Sequence, residues 1–341
     1  MSWILTFAKG LAWVALVTGL CNSMVRQYAV VLAHPIIEES KDVSQNNTNP
    51  DYVEAQRRIQ EALTTQASAL HLRKLSLTQI PPEIGQLINL QELYLGSNQL
   101  ISLPPEIGQL TNLKKLQLGR NRLNNLPNEI RQLINLQELY LDSNQLISLP
   151  PEIGQLTSLQ TLILKKNQLS SLPSEIGRLT NLQAIDLDNN QLSSLPNEIG
   201  QLLNLRTIDL SNNQLSSLLS EIGQLTNLKF FNLSANQLSS LPKELTQLTD
   251  LQSLYLGNNQ LNSLPDGIRN LKNLQTLLLY RNQLSSLPDE ITQLTNLQSL
   301  DLNNNRLESL PDDMEKLRQS TVINLQNNPL PPHILQNYSA P

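Results

Sequence analysis

Apolar residues recur through most of this chain with a period of 23 residues. In one unit, residues 136–158 counted as positions 1 to 23, apolar side chains occupy positions 1, 4, 6, 11, 14, 18 and 21. Asparagine occupies position 9 in eleven successive units, from Asn98 to Asn328. Strict self-similarity at this period is typical of a solenoid in which each unit forms one coil.

The same pattern predicts the elements of each coil. Apolar positions 4 and 6 alternate with outward positions 3, 5 and 7, as in a strand with one buried face. Proline at position 15, as in Pro104 and Pro127, fixes φ and starts the return path. Apolar positions 18 and 21 lie three apart, which favours a short helical turn. We therefore predict an α/β repeat solenoid with a parallel β-sheet on the concave face and short helical turns on the convex face.

The asparagine column has a structural interpretation. Buried backbone groups need hydrogen-bond partners, and a short amide side chain offers both donors and an acceptor. We expect each asparagine to bond the backbone of its own coil and of the next one. The column is then an internal ladder, and a polar binding row is the less favoured interpretation.

The start of the array differs from its centre. Leu70 and Leu72 fit positions 4 and 6 of an additional first coil, but Leu75 replaces the asparagine. A first coil has no preceding neighbour to bond, so an apolar residue can serve there. Residues 51–66 before it predict a capping helix, and a helix that binds a partner is the alternative. Its apolar face would contain Tyr52, Ala55, Ile59, Ala62 and Leu63.

The end of the array is also atypical. Ser320 replaces the leucine of position 1, and Pro329, Pro331 and Pro332 are expected to break regular structure. We assign residues 67–332 to a solenoid of about twelve coils and residues 333–341 to a tail. Inside the array Leu219 replaces the proline of position 15, which we interpret as a tolerated substitution.

Residues 1–33 form an apolar leader that predicts a signal peptide or a membrane anchor. A helix over residues 10–25 would be about 24 Å long, shorter than a hydrocarbon core of about 30 Å. Ala33 offers a small-residue cleavage site before His34. Export or membrane attachment is the favoured location, and a start at Met24 with a cytoplasmic protein is the alternative. Residues 34–50 predict a flexible linker.

Composition and chemistry exclude several classes of function. The net charge of −5 gives no broad basic surface for nucleic acid. The single cysteine, Cys21, leaves the repeats without disulfides. His34, His71 and His333 form no visible metal or acid–base set, and no phosphate-binding G-x-x-x-x-G-K-[ST] loop is present. We therefore predict no enzyme activity, no cofactor and no metal site.

The residue type varies from coil to coil mainly at the outward positions 3, 5, 7 and 8, whereas the core positions barely change. We therefore expect these outward positions to determine what the protein binds. An early group is basic and includes Lys114, Lys115, Arg120 and Arg122. A middle group is acidic and a late group is aromatic and apolar. The residues predicted to bind a partner on the concave face are Tyr94, Tyr140, Lys165, Lys166, Asp186, Asp209, Phe230, Tyr255, Leu278, Tyr280 and Arg281.

The L-x-x-L-x-L-x-x-N-x-L spacing resembles the leucine-rich repeat family from about Ala67 onward. Segments such as L-P-P-E-I-G-Q-L-T-N-L are similar to bacterial repeats of the Ras-regulator-like class and to the repeat segment of Roco-type proteins. The resemblance implies a scaffold that binds a protein. We further expect a non-catalytic monomer with membrane contact only through the leader. An adhesive surface protein for matrix or glycan, and a regulatory partner of a GTPase or signalling enzyme, are the alternatives.

Overall fold

The computed structural model describes residues 49–338. The predicted leader, its cleavage site at Ala33, the start at Met24, the linker up to residue 48 and the last three residues lie outside the described residues. The repeats belong to the compact unit Glu54–Pro341. In the described part of the chain, no helix combines the length and apolar character needed to cross a membrane.

Twelve short strands form one parallel sheet in chain order. Each strand contains positions 3 to 5 of a coil, so Leu70 lies opposite Leu93 and Leu93 lies opposite Leu116. This arrangement confirms the predicted sheet. The strands are β1 Ala69–His71, β2 Glu92–Tyr94, β3 Lys115–Gln117, β4 Glu138–Tyr140, β5 Thr161–Ile163, β6 Ala184–Asp186, β7 Thr207–Asp209, β8 Phe230–Asn232, β9 Ser253–Tyr255, β10 Thr276–Leu278, β11 Ser299–Asp301 and β12 Val322–Asn324. Coils are numbered like their strands, so coil 1 is residues 67–89.

The convex side is built from short 3-10 helices, which confirms the predicted helical turns. Each follows an extended residue at position 15, such as Pro127 with φ −70° and ψ 152°. Leu219 keeps the same path with φ −76° and ψ 152°, so the backbone tolerates the loss of proline there. The 3-10 helices are Pro82–Gln86, Pro105–Gln109, Asn128–Gln132, Pro151–Gln155, Ser174–Arg178, Asn197–Gln201, Ser220–Gln224, Lys243–Gln247, Asp266–Asn270 and Asp289–Gln293.

Leucine and isoleucine columns fill the space between the sheet and the outer turns. In coil 4, Leu139, Leu141, Leu146, Ile153 and Leu156 are fully buried. A single coil would leave these side chains in water, so burial depends on the stacked neighbours. The solenoid is therefore stabilised by contacts between coils along its whole length.

The asparagine column forms a ladder, but its direction differs from the expectation. Asn144 Oδ1 accepts a hydrogen bond from Leu123 N at 3.0 Å, and Nδ2 donates to Leu118 O at 3.0 Å. Both partners belong to the preceding coil, so the expected bond to the next coil was wrong. The expected bond within the coil is confirmed, because Asn144 Nδ2 also donates to Leu141 O at 3.0 Å. In coil 3 the backbone leaves the sheet between Leu118 and Leu123. The Asn144 amide supplies the hydrogen-bond partners that the Leu118 carbonyl and the Leu123 N–H would otherwise lack. Because the asparagine bonds the preceding coil and coil 1 has no preceding coil, the apolar Leu75 can occupy position 9 there.

The ends contain three α-helices. Helix α1, Pro50–Thr65, begins and ends one residue earlier than predicted. Ala55, Ile59 and Ala62 are buried, and Arg58 Nη1 donates to the carbonyl of His71 in β1 at 3.0 Å. This bond holds the helix against the first coil.

At the C-terminal end, helix α2, Met314–Arg318, takes the place of a 3-10 turn, and helix α3 spans Pro332–Tyr338. The expectation that Pro332 breaks regular structure was wrong. Proline suits the first turn of a helix because its fixed φ is helical and its missing N–H would have no partner there. Much of the predicted tail is therefore helical.

Candidate functional site

The concave face contains the eleven residues that the repeat pattern predicts to bind a partner. Seven of them lie within strands, and the other four follow β5 or β10. Nine are half-buried on the sheet surface, whereas Lys166 and Arg281 are exposed. Both exposed residues occupy position 8, where the backbone is left-handed, with φ 56° at Lys166 and 53° at Arg281.

Two rings of the late aromatic group pack against each other, and a third lies against a glycine. The rings of Phe230 and Tyr255 meet edge to face with centroids 5.1 Å apart. Leu278 lies directly opposite Tyr255 in the sheet register. The ring of Tyr280 lies against Gly257, where an added Cβ would overlap it. The glycine thus fixes the position of Tyr280 on the surface.

The middle acidic group is bonded internally. Asp186 Oδ1 accepts from the N–H of Asp188 at 3.1 Å, and Lys165 Nζ lies 3.5 Å from Asp186 Oδ2. Asp209 Oδ1 accepts from the Ser211 N–H at 2.9 Å and lies 2.6 Å from the Ser211 hydroxyl. Burial raises the pKa of Asp186 above its ordinary value. Both carboxylates are therefore bonded to groups of the concave surface itself.

The Asp186 and Asp209 bonds belong to a rule that sequence reasoning missed. In five coils a short Asp or Asn side chain at position 5 accepts from the N–H of position 7. The aromatic Tyr94 and the longer Gln117 occupy position 5 in coils 2 and 3 and make no such bond. Among residues 49–338, the N–H groups of Gly96 and Gly119 consequently have no hydrogen-bond acceptor.

The early group is not purely basic, contrary to the expectation. Lys115 Nζ lies 2.6 Å from Glu138, and Tyr140 donates to the same carboxylate at 2.7 Å. Burial alone would raise the pKa of Glu138, but the bonds from Lys115 and Tyr140 lower it below its ordinary value. Lys115 is therefore neutralised locally. The expectation failed because position 3 of the adjacent coil supplies the compensating charge.

Tyr94 is held in a separate stack at the start of the sheet. Its ring is parallel to that of His71 with centroids 4.4 Å apart, and Arg73 Cζ lies 4.4 Å from the Tyr94 centroid. The Tyr94 hydroxyl donates to Glu92, and this bond, with burial, raises the pKa of Tyr94 above its ordinary value. The stack therefore places Arg73 on the concave face.

A cationic notch opens beside this stack. Its lining includes Arg73, Lys74, Gly96, Gly119 and Arg120, and its volume is about 270 Å³. Gln117, Tyr140 and Asp142 complete its walls. We call it the coil 1–3 notch. The sequence does not single out Arg73, Lys74 and the two glycines, because they occupy positions 7 and 8 of three different coils and meet only when the coils stack.

Within residues 49–338, no group of three or more His, Cys, Asp and Glu side chains is arranged to hold a metal ion. The site is thus a surface of aromatic rings, paired charges and open backbone donors. Such a surface can recognise another molecule by shape, hydrogen bonds and charge.

Comparison with family models identifies the repeats. Leucine-rich repeat models match residues 88–146, 134–192, 157–215 and 272–330, and a leucine-rich repeat region model matches residues 194–285. Among proteins with curated functions, none matches the chain in sequence.

Solved structures show the same fold. A leucine-rich repeat protein of Leptospira interrogans is 34% identical, with 81% of this chain and 95% of that chain covered and a TM-score of 0.64. The plant peptide hormone receptor RGFR1 in complex with RGF2 is 33% identical over 77% of this chain, with a TM-score of 0.69. This chain spans only 43% of that receptor chain. An internalin of Listeria monocytogenes shares the fold at 23% identity, covering 86% of this chain and 94% of that chain with a TM-score of 0.65.

Proposed function

The chain belongs to the leucine-rich repeat family, and we propose that it is a non-catalytic scaffold that binds a protein partner on its concave sheet. The observation that carries the proposal is the aromatic cluster of Phe230, Tyr255 and Tyr280. These half-buried rings lie on the concave face, where Phe230 and Tyr255 pack edge to face and the absence of a side chain at Gly257 leaves room for the ring of Tyr280. Tyrosine and arginine are enriched among the residues that dominate interface energies. Arg281 lies beside the cluster.

The kind of partner and the location are also part of the proposal. The similarity to RGFR1, a receptor solved in complex with RGF2, supports a peptide or protein ligand. The similarity to the Leptospira protein supports a bacterial type of repeat. The leader supports export or membrane attachment. Cell fractionation with N-terminal sequencing tests the location, and an intact N-terminus in the cytosol would contradict export.

Replacement of Tyr255 and Tyr280 by alanine tests the binding face. We expect capture of the partner to weaken about tenfold or more, because buried aromatic anchors each contribute about 2 kcal/mol. The free energy of unfolding should fall by only about 1 kcal/mol, since the main loss is one aromatic pair. Full-length variants are immobilised, and proteins captured from native extract and from culture medium are compared by quantitative mass spectrometry.

A matched control removes exposed apolar side chains from the other side of the coil. Ile134 and Leu203 are 54% and 53% exposed and lie outside the concave sheet. The double alanine variant at these residues should capture the same proteins as wild type. Unchanged capture by the Tyr255 and Tyr280 variant would remove the aromatic cluster from the binding face.

A further inference from the structure

We infer that the coil 1–3 notch is a binding site for a carboxylate carried by an extended peptide segment of the partner. The inference deepens the proposed function and rests on it for the kind of partner. It assigns a chemical class to one part of the concave face, at the opposite end of the sheet from the aromatic cluster.

The first argument is the set of uncompensated cations. Arg73, Lys74 and Arg120 line the notch, and none of them forms an ion pair with any carboxylate in the described residues. By contrast, Lys115 and Lys165 on the same face are both paired. Unpaired cations grouped on a chain of net charge −5 attract an external anion.

The second argument is independent of charge. The N–H groups of Gly96 and Gly119 have no acceptor in the described residues, although the equivalent N–H of Ser211 is bonded to Asp209 at 2.9 Å. In coil 7 a carboxylate oxygen of the chain itself accepts from position 7, whereas in seven coils, including coils 2 and 3, this N–H has no acceptor in the described residues. Coils 2 and 3 differ from the other open coils in that their donors lie in the notch lined by Arg73, Lys74 and Arg120. A ligand carboxylate would supply the same kind of acceptor, and hydrogen bonds between N–H groups and an ionised carboxylate are among the stronger ones.

Glycine at these two positions keeps the donors accessible. A Cβ at Gly96 would lie 3.2 Å from the carbonyl oxygen of Gly119, and a Cβ at Gly119 would meet the carboxylate of Asp142. The absence of side chains therefore lets the Gly119 carbonyl approach Gly96 and the Asp142 carboxylate approach Gly119, so a ligand at Gly119 would have to enter beside Asp142. Lys74 and Arg120 stand above it at left-handed position 8, with φ 57° and 59°.

The residues around the notch favour a carboxylate over a phosphate. The Asp142 carboxylate lies against Gly119 inside the notch, and its charge repels a dianion more strongly than a monoanion. Tyr140 adds an aromatic wall suited to the aliphatic part of a peptide. A side-chain carboxylate and a C-terminal carboxylate share this chemistry, so the test includes both sources.

Selective 15N-glycine labelling of the full chain reports on the proposed donors directly, because the sequence has only 12 glycines. The probes are acetyl-Glu-Glu-amide, acetyl-Gly-Gly with a free carboxylate, acetyl-Gln-Gln-amide and inorganic phosphate. We expect saturable shifts of the Gly96 and Gly119 amides with one or both carboxylate probes. The Gln probe should cause none, and Gly257, the equivalent position in coil 9, should not respond to any probe.

Two variants with matched controls sharpen the test. Gln117→Asp should introduce the internal acceptor found in coil 7 and weaken binding about tenfold or more, whereas Ile163→Asp, the same change at position 5 of coil 5 outside the notch, should leave it within about twofold. Arg120→Gln should weaken binding about tenfold, and Arg178→Gln, which removes the same charge from the convex 3-10 helix Ser174–Arg178, should not change it.

Three results would overturn the site: no shift with either carboxylate probe, equal shifts with the Gln probe, or tighter binding of phosphate than of the carboxylates. The aromatic cluster takes no part in this experiment. A negative result therefore leaves the proposed protein-binding function intact. Conversely, if the Tyr255 and Tyr280 variant captures normally while the Gly96 and Gly119 amides respond, the notch is supported and the aromatic cluster is not.

Discussion

The coil 1–3 notch and the acidic surface of coils 6 and 7 have the same backbone fold but differ in whether the N–H at position 7 is hydrogen-bonded by the chain itself. In both regions an N–H at position 7 faces the concave side. The side chains of Asp186 and Asp209 accept a hydrogen bond from this N–H. Tyr94 and Gln117 do not, so the N–H remains without an acceptor in the described residues. The difference teaches that one residue per coil decides whether the surface is satisfied internally or available to a ligand. Charged residues that are prominent in the sequence can therefore be structural, while glycines can be functional.

Replacement of Asp209 should give the largest stability contrast between the two regions. Asp209→Ala leaves the Ser211 N–H without its acceptor and removes a bond from Asn232 Nδ2 at 3.1 Å. We expect a loss of about 1–3 kcal/mol in the free energy of unfolding. Gln117→Ala, at the same position in coil 3, should cost no more than about 0.5 kcal/mol.

Urea unfolding of the two variants measures this contrast. Asp209→Asn is the matched control, because the amide keeps an oxygen acceptor and should recover most of the loss. Coil 8 shows that asparagine can serve, since Asn232 accepts from Ser234 N at 3.0 Å. Equal losses at Asp209 and Gln117 would show that the position 5 bond does not distinguish the regions.

A smaller effect is expected from the protonation of Asp186. Burial holds the pKa of Asp186 above its ordinary value of 3.8, although the Asp188 N–H and Lys165 favour the charged form. The folded chain then binds the proton more tightly than the unfolded chain, so the Asp186 contribution to stability falls as the pH rises through this value. Asp186→Asn should be more stable than wild type at pH 7 by less than about 1 kcal/mol.

The gain should shrink as the pH falls and disappear toward pH 3, below the ordinary value of 3.8, where the wild-type carboxyl group is mostly protonated in both states. Thermal unfolding of both proteins between pH 3 and pH 7 measures it. Asp142→Asn, a carboxylate of the notch without such an internal bond, is the comparison variant. A gain that stays constant with pH would contradict the assignment to Asp186 ionisation.

Much of the fold could be predicted because the pattern is repeated and each period tests the same inference. Leu139 and Leu141 alternate with outward residues, so the strand and its buried face follow from a single coil. The direction of the Asn144 bonds could not be predicted, since an amide can bond a coil on either side. It depends on where the backbone leaves the sheet.

A second asparagine column also escaped prediction. At position 23, Asn204 Nδ2 donates to the Thr180 carbonyl of the preceding coil at 2.8 Å, and Asn227 does the same to Leu203. Position 23 is not invariant, since coil 4 has Ser158 there, so this column is less evident in the sequence than the column at position 9. These bonds are exposed, so they contribute less than the buried ladder.

The candidate site was predictable only in part. Counting from the asparagine assigned Tyr255 and Tyr280 to one face, and the aromatic cluster lies there. The pairing of Lys115 with Glu138 required knowledge of which side chains meet between adjacent coils. The open donors of Gly96 and Gly119 depend on an absent acceptor, which a search for reactive side chains does not detect.

Amide hydrogen exchange at position 7 tests the central claim most directly. After correction for intrinsic rates, the Ser211 amide should exchange more slowly than those of Gly96 and Gly119 by a factor on the order of ten, as expected for one hydrogen bond of about 1.4 kcal/mol. Asp209→Ala should raise the Ser211 rate toward that of the glycines. If Gly96 and Gly119 were as well protected as Ser211, and Asp209→Ala left Ser211 unchanged, position 5 would not control the backbone donor, and the account of the concave face would be contradicted.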